Sequence, residues 1–137
     1  MKLTWGTSDD RMVTDLMGGV SRRDRRRVLQ LMHPAHVSGG QVLATEGARG
    51  REFFVLTEGR VEVIVAGETV AEVEPGDFFG EIALLGDGYR TATVVAGDDV
   101  RLEVMNRREF ASVLDMWPQF ANEVTRRATR RMSRLVG

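Results

Sequence analysis

Hydrophobic and polar residues follow three patterns along the chain. Over residues 8–17 and 21–32 the apolar positions recur every three or four residues, which predicts two short helices. From 33 to 106, short runs rich in Val, Ile, Phe and Thr are separated by closely spaced glycines, which predicts many short strands. Helical spacing returns over 107–135. The predicted fold class is mainly β with flanking helices (α+β), an antiparallel jelly-roll β-barrel with short N-terminal helices and two C-terminal helices.

The predicted helices have recognisable starts. Ser21 with Asp24 three positions later is the pattern of a capping box at the second helix, and Asn106 with Glu109 repeats it at the third. Pro118 suits the first turn of the last helix. These signals place helical segments on both sides of the strands.

The last predicted helix carries an apolar stripe at helical spacing, formed by Phe120, Val124, Ala128, Met132 and Leu135. We expect Phe120 and Val124 to pack on the strands of their own chain. The rest of the stripe extends beyond the barrel and suits pairing with a second chain. A homodimer through the C-terminal helix is the resulting hypothesis.

Composition is that of an ordinary globular protein. The 137 residues are enough for a single domain spanning 1–137 with one buried core. Hydrophobic residues make up 42% and charged residues 28%, at a net charge of −1. Without cysteine there is no disulfide and no thiolate metal site. Neither a bilayer-spanning run nor a signal-peptide pattern is present, so we expect a cytoplasmic protein with no part in the membrane.

Basic residues are concentrated in two clusters, at 21–27 and 126–134. Such clusters also occur in nucleic-acid-binding proteins. Because acids elsewhere bring the net charge to −1, we interpret both clusters as solvated helix faces and expect no direct DNA binding. A DNA-binding regulator would also need a helix-turn-helix after the long helix, and the sequence ends at Gly137. Whether the chain is a stand-alone protein or an excised domain stays open.

One stretch, FGEIALLGDGYRTATV at 79–94, carries the candidate chemistry. Gly80 permits close approach of the backbone, and EIALL favours one helical turn whose first amides point outward. Those amides and Arg90 together suit one phosphate group. Glu81 would repel an anion unless the ligand also presents a hydroxyl donor, such as a ribose 2′-OH. The residues predict a small ligand with a phosphate and a sugar, and a surface ion pair between Glu81 and Arg90 is the alternative.

The same stretch resembles the phosphate-binding cassette of cyclic nucleotide-binding domains, in which F-G-E-[LI]-A-L is followed after a short gap by R-[TSA]-A-[TS]-V. With the preceding strands and the flanking helices, the resemblance covers about residues 20–135. In the strands it rests on turn residues at the family's positions: Gly40, Glu46-Gly47, Gly59 and Pro75-Gly76-Asp77.

The resemblance implies a role for each residue of the cassette. Glu81 would bind the ribose 2′-OH, and Arg90 would bind the cyclic phosphate. The amides of Ile82 and Ala83 would also hold the phosphate, and Gly80 would allow its approach.

Thr91 follows the arginine, where its hydroxyl would contact the phosphate or the amino group of a guanine. Family members with threonine here include binders of either nucleotide, so the residue does not settle the base. The resemblance implies cyclic AMP as the ligand, with cyclic GMP as the alternative, and no further cofactor. A ligand-free interaction domain of the same fold is a second alternative, although such domains usually lack the glutamate or the arginine.

The resemblance also implies a mechanism. A residue of the last helix often caps the base in this family, and the candidates here are Thr125, Arg126, Arg127 and Arg130. Ligand would draw the cassette inward and repack the helices of 107–135. The movement would signal to an effector protein or domain that the sequence does not identify. Similar domains often pair through the last helix, in agreement with the homodimer hypothesis.

A cupin-like metalloenzyme is the rival with a similar barrel, and it would need several histidines. This chain has His33 and His36 only, and three positions apart on a strand they point to opposite faces. No serine lies in a nucleophile elbow, and cysteine is absent. We therefore expect no metal site and no enzymatic activity.

Overall fold

The structure is a computed structural model that describes residues 3–4 and 20–136. The helix predicted over 8–17 lies outside the described residues. In chain order the elements are β1 (Leu3–Thr4), α1 (Arg22–Gln30), β2 (His33–Val37), β3 (Val42–Ala44), β4 (Glu52–Glu58), β5 (Val61–Val65), β6 (Glu68–Val73), β7 (Phe78–Phe79), α2 (Glu81–Leu85), β8 (Thr93–Ala96), β9 (Val100–Asn106), α3 (Arg107–Met116) and α4 (Pro118–Val136).

The strands form two sheets, one in the order β1-β6-β5-β8-β3 and the other in the order β2-β9-β4-β7. Neighbouring strands are antiparallel except for the short parallel pair of β1 with β6. The fold class predicted from the sequence, mainly β with flanking helices, is confirmed. The predicted jelly-roll barrel takes the form of a two-sheet sandwich, since hydrogen bonds between the described strands do not join the two sheets into a closed ring.

β4 separates two hydrophobic cores because its side chains alternate between its two faces. Phe54 and Leu56 point between the two sheets, into a core that also contains Phe79. Phe53 and Val55 point the other way, into a core beneath α1, α3 and α4. The apolar run in β4 is therefore explained by a strand buried on both faces.

The helix starts agree with the sequence signals. The Ser21 hydroxyl accepts a hydrogen bond from the Asp24 amide at 3.2 Å, which caps α1. Asn106 and Glu109 form a complete capping box at α3, with reciprocal bonds of 2.8 and 2.9 Å. The last helix begins at Pro118 as predicted.

The apolar stripe of α4 is buried in its first half. Phe120 and Val124 have no exposed surface and lie in the core beneath the helices, which confirms their predicted packing. Ala128 is buried as well, whereas Met132 is 39% exposed. The Leu135 side chain lies outside the described residues. Pairing of this helix with a second chain stays a prediction.

The interpretation of the cluster at 126–134 as a solvated helix face is wrong for two of its arginines. Arg126 and Arg130 are exposed, but Arg127 and Arg131 are 2% and 1% exposed. Their positions are three residues after Val124 and Ala128, so the helical repeat turns them toward the same covered side of α4. Their charges are met there by acids from another part of the chain.

Candidate functional site

A sharp turn from β7 into α2 builds the centre of the site. Gly80 joins the two elements with a φ of +95°. A Cβ at this position would lie 2.8 Å from the Glu52 carbonyl oxygen and 3.0 Å from Arg90 Nη1. Only glycine combines this backbone conformation with so close an approach. The turn places the first residues of α2 directly beside the guanidinium group.

The six residues singled out from the sequence come together around one cavity with about 30 Å³ of free space. That is room for about two water molecules, far below the ~300–1,000 Å³ of small-molecule sites, so a larger ligand can enter only when the walls of the cavity move apart. Apolar side chains of the core between the sheets, among them Val63 and Phe79, form the rest of the wall. The predicted residues in the wall are Gly80, Glu81, Ile82, Ala83, Arg90 and Thr91.

Arg90 is held in a fixed orientation and is 9% exposed. Its Nη1 donates to the Gly80 carbonyl at 3.0 Å, and its Nη2 donates to the Glu52 carbonyl at 2.8 Å. Its guanidinium carbon lies 5.8 Å from the centre of the Phe54 ring. Burial lowers the pKa of Arg90, and the charges of Glu52 and Glu81 oppose that shift. A guanidinium has five N–H donors, so the two carbonyls leave donors for an anion in the cavity.

Glu81 does not form the surface ion pair with Arg90 that was the alternative interpretation, so that interpretation is wrong. The Glu81 side chain is 1% exposed, and its Oε1 accepts a hydrogen bond from Nη1 of Arg131. Its Oε2 accepts from the Ile82 amide at 3.1 Å. Burial raises the pKa of the Glu81 carboxyl above its ordinary value of 4.5, and Arg131 opposes this rise. The groups predicted to receive a ribose and a phosphate are thus bonded to other groups of the chain.

Arg131 and Arg127 join Glu81 and Asp77 in what we call the buried ion cluster. Arg127 Nη1 lies 3.0 Å and Arg131 Nη2 lies 3.3 Å from the same Asp77 Oδ2. Arg131 Nη1 also donates to the Phe78 carbonyl at 2.8 Å. Its guanidinium carbon lies 5.0 Å from the centre of the Phe78 ring. Each member is at most 4% exposed, so the cluster ties α4 to the turn that begins α2 by charge-assisted bonds shielded from water.

Sequence reasoning missed Arg131 and Asp77. A usable signal was present in the spacing, because Asp77 and Glu81 are four residues apart and so are Arg127 and Arg131. The arginine pair also follows the apolar stripe of its helix at helical spacing. Two arginines one turn apart beside an apolar stripe indicate buried cations, which need acidic partners.

The residues proposed to cap a base occupy different environments. Thr125, Arg126 and Arg130 are exposed, and Arg126 pairs with Glu123 at 3.1 Å. Arg127 is instead held in the buried ion cluster. Its guanidinium is therefore not placed to stack on a base.

The described residues contain no group of three His, Cys, Asp or Glu side chains placed to hold a metal ion. His33 Nε2 lies 2.5 Å from Glu109 Oε2, at the start of α3. In the described part of the chain, no helix has both the length and the apolar character needed to span a membrane.

Comparison with known proteins identifies the family. The family model of the cyclic nucleotide-binding domain matches residues 34–116, which include all strands from β3 to β9 and the whole cassette. The chain belongs to the cyclic nucleotide-binding domain family.

Two curated relatives and one solved structure illustrate the similarity. The chain is 36% identical over 112 residues to a cAMP-dependent protein kinase regulatory subunit of Mycosarcoma maydis, covering 75% of this chain and 21% of that protein. It is 31% identical over 96 residues to the cGMP-dependent protein kinase, isozyme 2 forms cD5/T2, of Drosophila melanogaster, covering 64% and 10%. The solved structure is the cAMP-bound PfPKA-R, with a TM-score of 0.76, 21% identity, and coverage of 93% of this chain and 45% of that one.

The similarity is to one part of larger proteins. The matched region spans about a fifth of the fungal regulatory subunit and a tenth of the insect kinase. The similarity therefore identifies the family of this domain and does not extend to the activities of those whole proteins.

Proposed function

We propose that this domain binds cyclic AMP in the cavity beside α2 and signals its presence through the C-terminal helices. The observation that carries the proposal is the gathering of all six cassette residues around one cavity, with Arg90 fixed by two backbone carbonyls. A preorganised guanidinium beside the start of a helical turn suits a phosphate monoanion. We propose no enzymatic role, and the site holds the ligand without changing it.

Each cassette residue receives a role in this proposal. Arg90 binds the cyclic phosphate, and the amides of Ile82 and Ala83 complete the phosphate site. Glu81 accepts a hydrogen bond from the ribose 2′-OH. Gly80 keeps the backbone close enough for both contacts, because any side chain there would meet the Glu52 carbonyl. Thr91 lines the same cavity and contacts the phosphate or the base.

The names of the relatives support the proposed base. The fungal relative, whose name marks it as cAMP-dependent, is 36% identical, against 31% for the relative named as cGMP-dependent. We therefore propose cyclic AMP as the ligand and cyclic GMP as the alternative. Thr125 and Arg130 are the base-capping candidates that no described ion pair holds in place, since Arg126 pairs with Glu123 and Arg127 lies in the buried ion cluster.

The buried ion cluster supports a switching role for α4. Ligand contacts to Glu81 and to the Ile82 amide would replace bonds that these groups now make to Arg131 and to each other. Ligand binding would thereby loosen the link between the cassette and α4. A ligand shifts such an equilibrium only by its difference in affinity for the two states, and here that difference arises at Glu81, the Ile82 amide and Arg90.

The extent of the domain, its localisation, its oligomeric state and its effector are further parts of the proposal. We propose a single domain over 1–137 in the cytoplasm and a homodimer through the part of α4 that begins at the exposed Met132. An effector protein or domain would respond to the position of α4. Light scattering at high protein concentration tests the dimer, since a monomer would contradict it.

Calorimetric titration with cyclic AMP and cyclic GMP tests the function. We expect saturable binding of one nucleotide per chain, with the tighter ligand identifying the base. Arg90→Ala should weaken binding by at least roughly 1.5–3 kcal/mol, since it removes a hydrogen bond to a charged group. Arg90→Lys should recover part of the loss, because an ammonium lacks the planar fork.

The matched control is Arg22→Ala, an exposed arginine on α1, which should bind like the unaltered chain. If a folded sample gave no heat with either nucleotide, the proposed function would be wrong. The domain would then be one of the ligand-free interaction domains of this fold.

A further inference from the structure

A second cleft, of about 550 Å³, lies where residues 49–51 meet the start of α3. Every charged residue in its wall is an arginine: Arg49, Arg51, Arg107 and Arg108. All four arginines are exposed. We call this feature the arginine cleft.

Strand pairing brings these arginines together from two distant segments. Glu52 of β4 lies opposite Asn106 of β9, so the residues just before Glu52 and just after Asn106 meet at the same edge of the sheet. Arg51 and Arg107 occupy those positions. The register of the sheet therefore fixes the cleft.

The four arginines form no close ion pair with an acid within the described part of the chain. None of the four arginines belongs to an ion pair there, whereas Arg60 and Arg101 each reach an acid within 4 Å. The Glu109 carboxylate, next to Arg108, accepts from the Asn106 amide and contacts His33 instead.

The placement of two of these arginines is also unfavourable for the fold. Arg107 and Arg108 begin α3, where the helix dipole disfavours cations. The capping box already completes that helix end, so the two charges add nothing to it. Four like charges around one concavity, with no acid in the wall, fit an anionic partner.

We propose that the arginine cleft docks an acidic segment of a partner protein. Arginine forks bind carboxylates in pairs of hydrogen bonds. Tyr89 beside the cleft is 44% exposed, and the guanidinium carbon of Arg49 lies 5.2 Å from its ring centre. Arginine and tyrosine are among the residues that most often dominate binding at protein interfaces. The free volume of about 550 Å³ in the cleft gives room for several side chains, unlike the small cavity beside α2.

The cleft also lies behind the cassette. The backbone of Gly50 contacts the guanidinium of Arg90 so closely that a Cβ there would lie 2.6 Å from Nε. The Gly50 amide donates to the Gly88 carbonyl at 2.8 Å, two residues before Arg90. A docked partner would thus touch the segment that packs on Arg90. Docking itself does not depend on the proposed nucleotide site.

Fluorescence anisotropy with a short labelled polyglutamate peptide tests the docking surface, with a polyglutamine peptide as the uncharged probe. We expect the protein to bind polyglutamate but not polyglutamine, and we expect the affinity for polyglutamate to fall as salt is raised toward about 0.15 M. The double variant Arg51→Glu/Arg107→Glu should bind roughly tenfold more weakly, since two exposed charge contacts become repulsive. The control Arg22→Glu/Arg26→Glu changes the net charge equally on exposed positions of α1 and should bind as before. Circular dichroism verifies that both variants are folded.

Three results would overturn the proposal. The first is equal weakening in both double variants, which would mean attraction by net charge alone. The second is no binding of polyglutamate by the unaltered protein. The third is tighter binding of pyrophosphate or of a mixed-sequence DNA duplex than of the peptide, which would make the cleft a small-anion or nucleic-acid site.

Discussion

The bond between Glu81 and Arg131 is the feature whose removal has the most definite consequences. Both side chains are 1% exposed, so neither charge can turn to water if the other is lost. Removing one partner from a buried ion pair typically costs about 3–5 kcal/mol of unfolding free energy. We expect Arg131→Met to fall in this range and Glu81→Gln to lie at its lower end, because Arg131 keeps Asp77 and the Phe78 carbonyl as partners. Met is suitable because it is unbranched and flexible enough to fill the space of the aliphatic stem.

The double variant Glu81→Gln/Arg131→Met should lose much less unfolding free energy than the sum of the two single losses. If the sites were independent, the combined cost would be about 6–8 kcal/mol, the sum of the two single losses. With both charges gone, nothing ionised is stranded at this position, and Asp77 keeps Arg127 at 3.0 Å. We expect a coupling energy of about 3 kcal/mol or more, because the remaining costs are the lost bond to the Phe78 carbonyl and imperfect packing.

Urea denaturation of the four proteins at neutral pH measures the coupling. The exposed pair Arg101 and Glu58, 3.3 Å apart with side chains 62% and 69% exposed, is the control cycle and should give at most about 1 kcal/mol. Additive losses at Glu81 and Arg131 would refute the reasoning. If a single variant fails to fold, recovery of folding in the double variant would also show that the two residues are coupled.

Three further predictions concern single residues. Glu81→Ala should weaken cyclic AMP binding by about 1–3 kcal/mol while hardly affecting its 2′-deoxy analogue, and equal losses in calorimetry would show that Glu81 does not bind the hydroxyl. Gly80→Ala should cost about 1–3 kcal/mol in urea denaturation, more than Gly67→Ala, which has a similar φ of +83° but open space around it. Hydrogen bonds from the Asn106 amide and from His33 lower the pKa of Glu109 below 4.5, so its contribution to stability is complete above that pH and is lost as pH falls through the lowered value. The stability difference between the unaltered chain and Glu109→Gln should accordingly shrink in acid, and a constant difference would contradict this.

The cassette and the helix starts could be predicted from the sequence because their determinants are local. Gly80 and Glu81 are adjacent, and Asn106 and Glu109 are one turn apart, so each signal is contained in a short window. The double burial of β4 also has a local signal that was not used, an apolar run longer than simple alternation allows. Whether the two sheets join into a closed barrel depends on hydrogen bonds between distant strands, which no short window contains.

The burial of Arg127 and Arg131 was not predicted for a physical reason. Arginine is almost never fully buried unless it is paired, and the general expectation for an arginine-rich helix is exposure. Asp77 lies 50 residues before Arg127 in the chain, so the pairing depends on the fold. Net charge, which guided the interpretation of the cluster, says nothing about which members of it find partners.

The geometry at Glu81 determines what a ligand would have to supply in order to release α4. The ribose hydroxyl is a neutral donor and by itself replaces a charged one, the Arg131 guanidinium, so exchange at Oε1 alone is unfavourable. At Oε2 the balance differs, because a phosphate would take the Ile82 amide that Oε2 now holds and would also engage Arg90. Arg131 in turn keeps Asp77 and the Phe78 carbonyl and is not left without acceptors. The driving force for switching in the proposed mechanism must therefore come from the phosphate. The ribose hydroxyl replaces the Arg131 hydrogen bond to Glu81 and so reduces the cost of losing it, for a carboxyl whose pKa is already raised by burial.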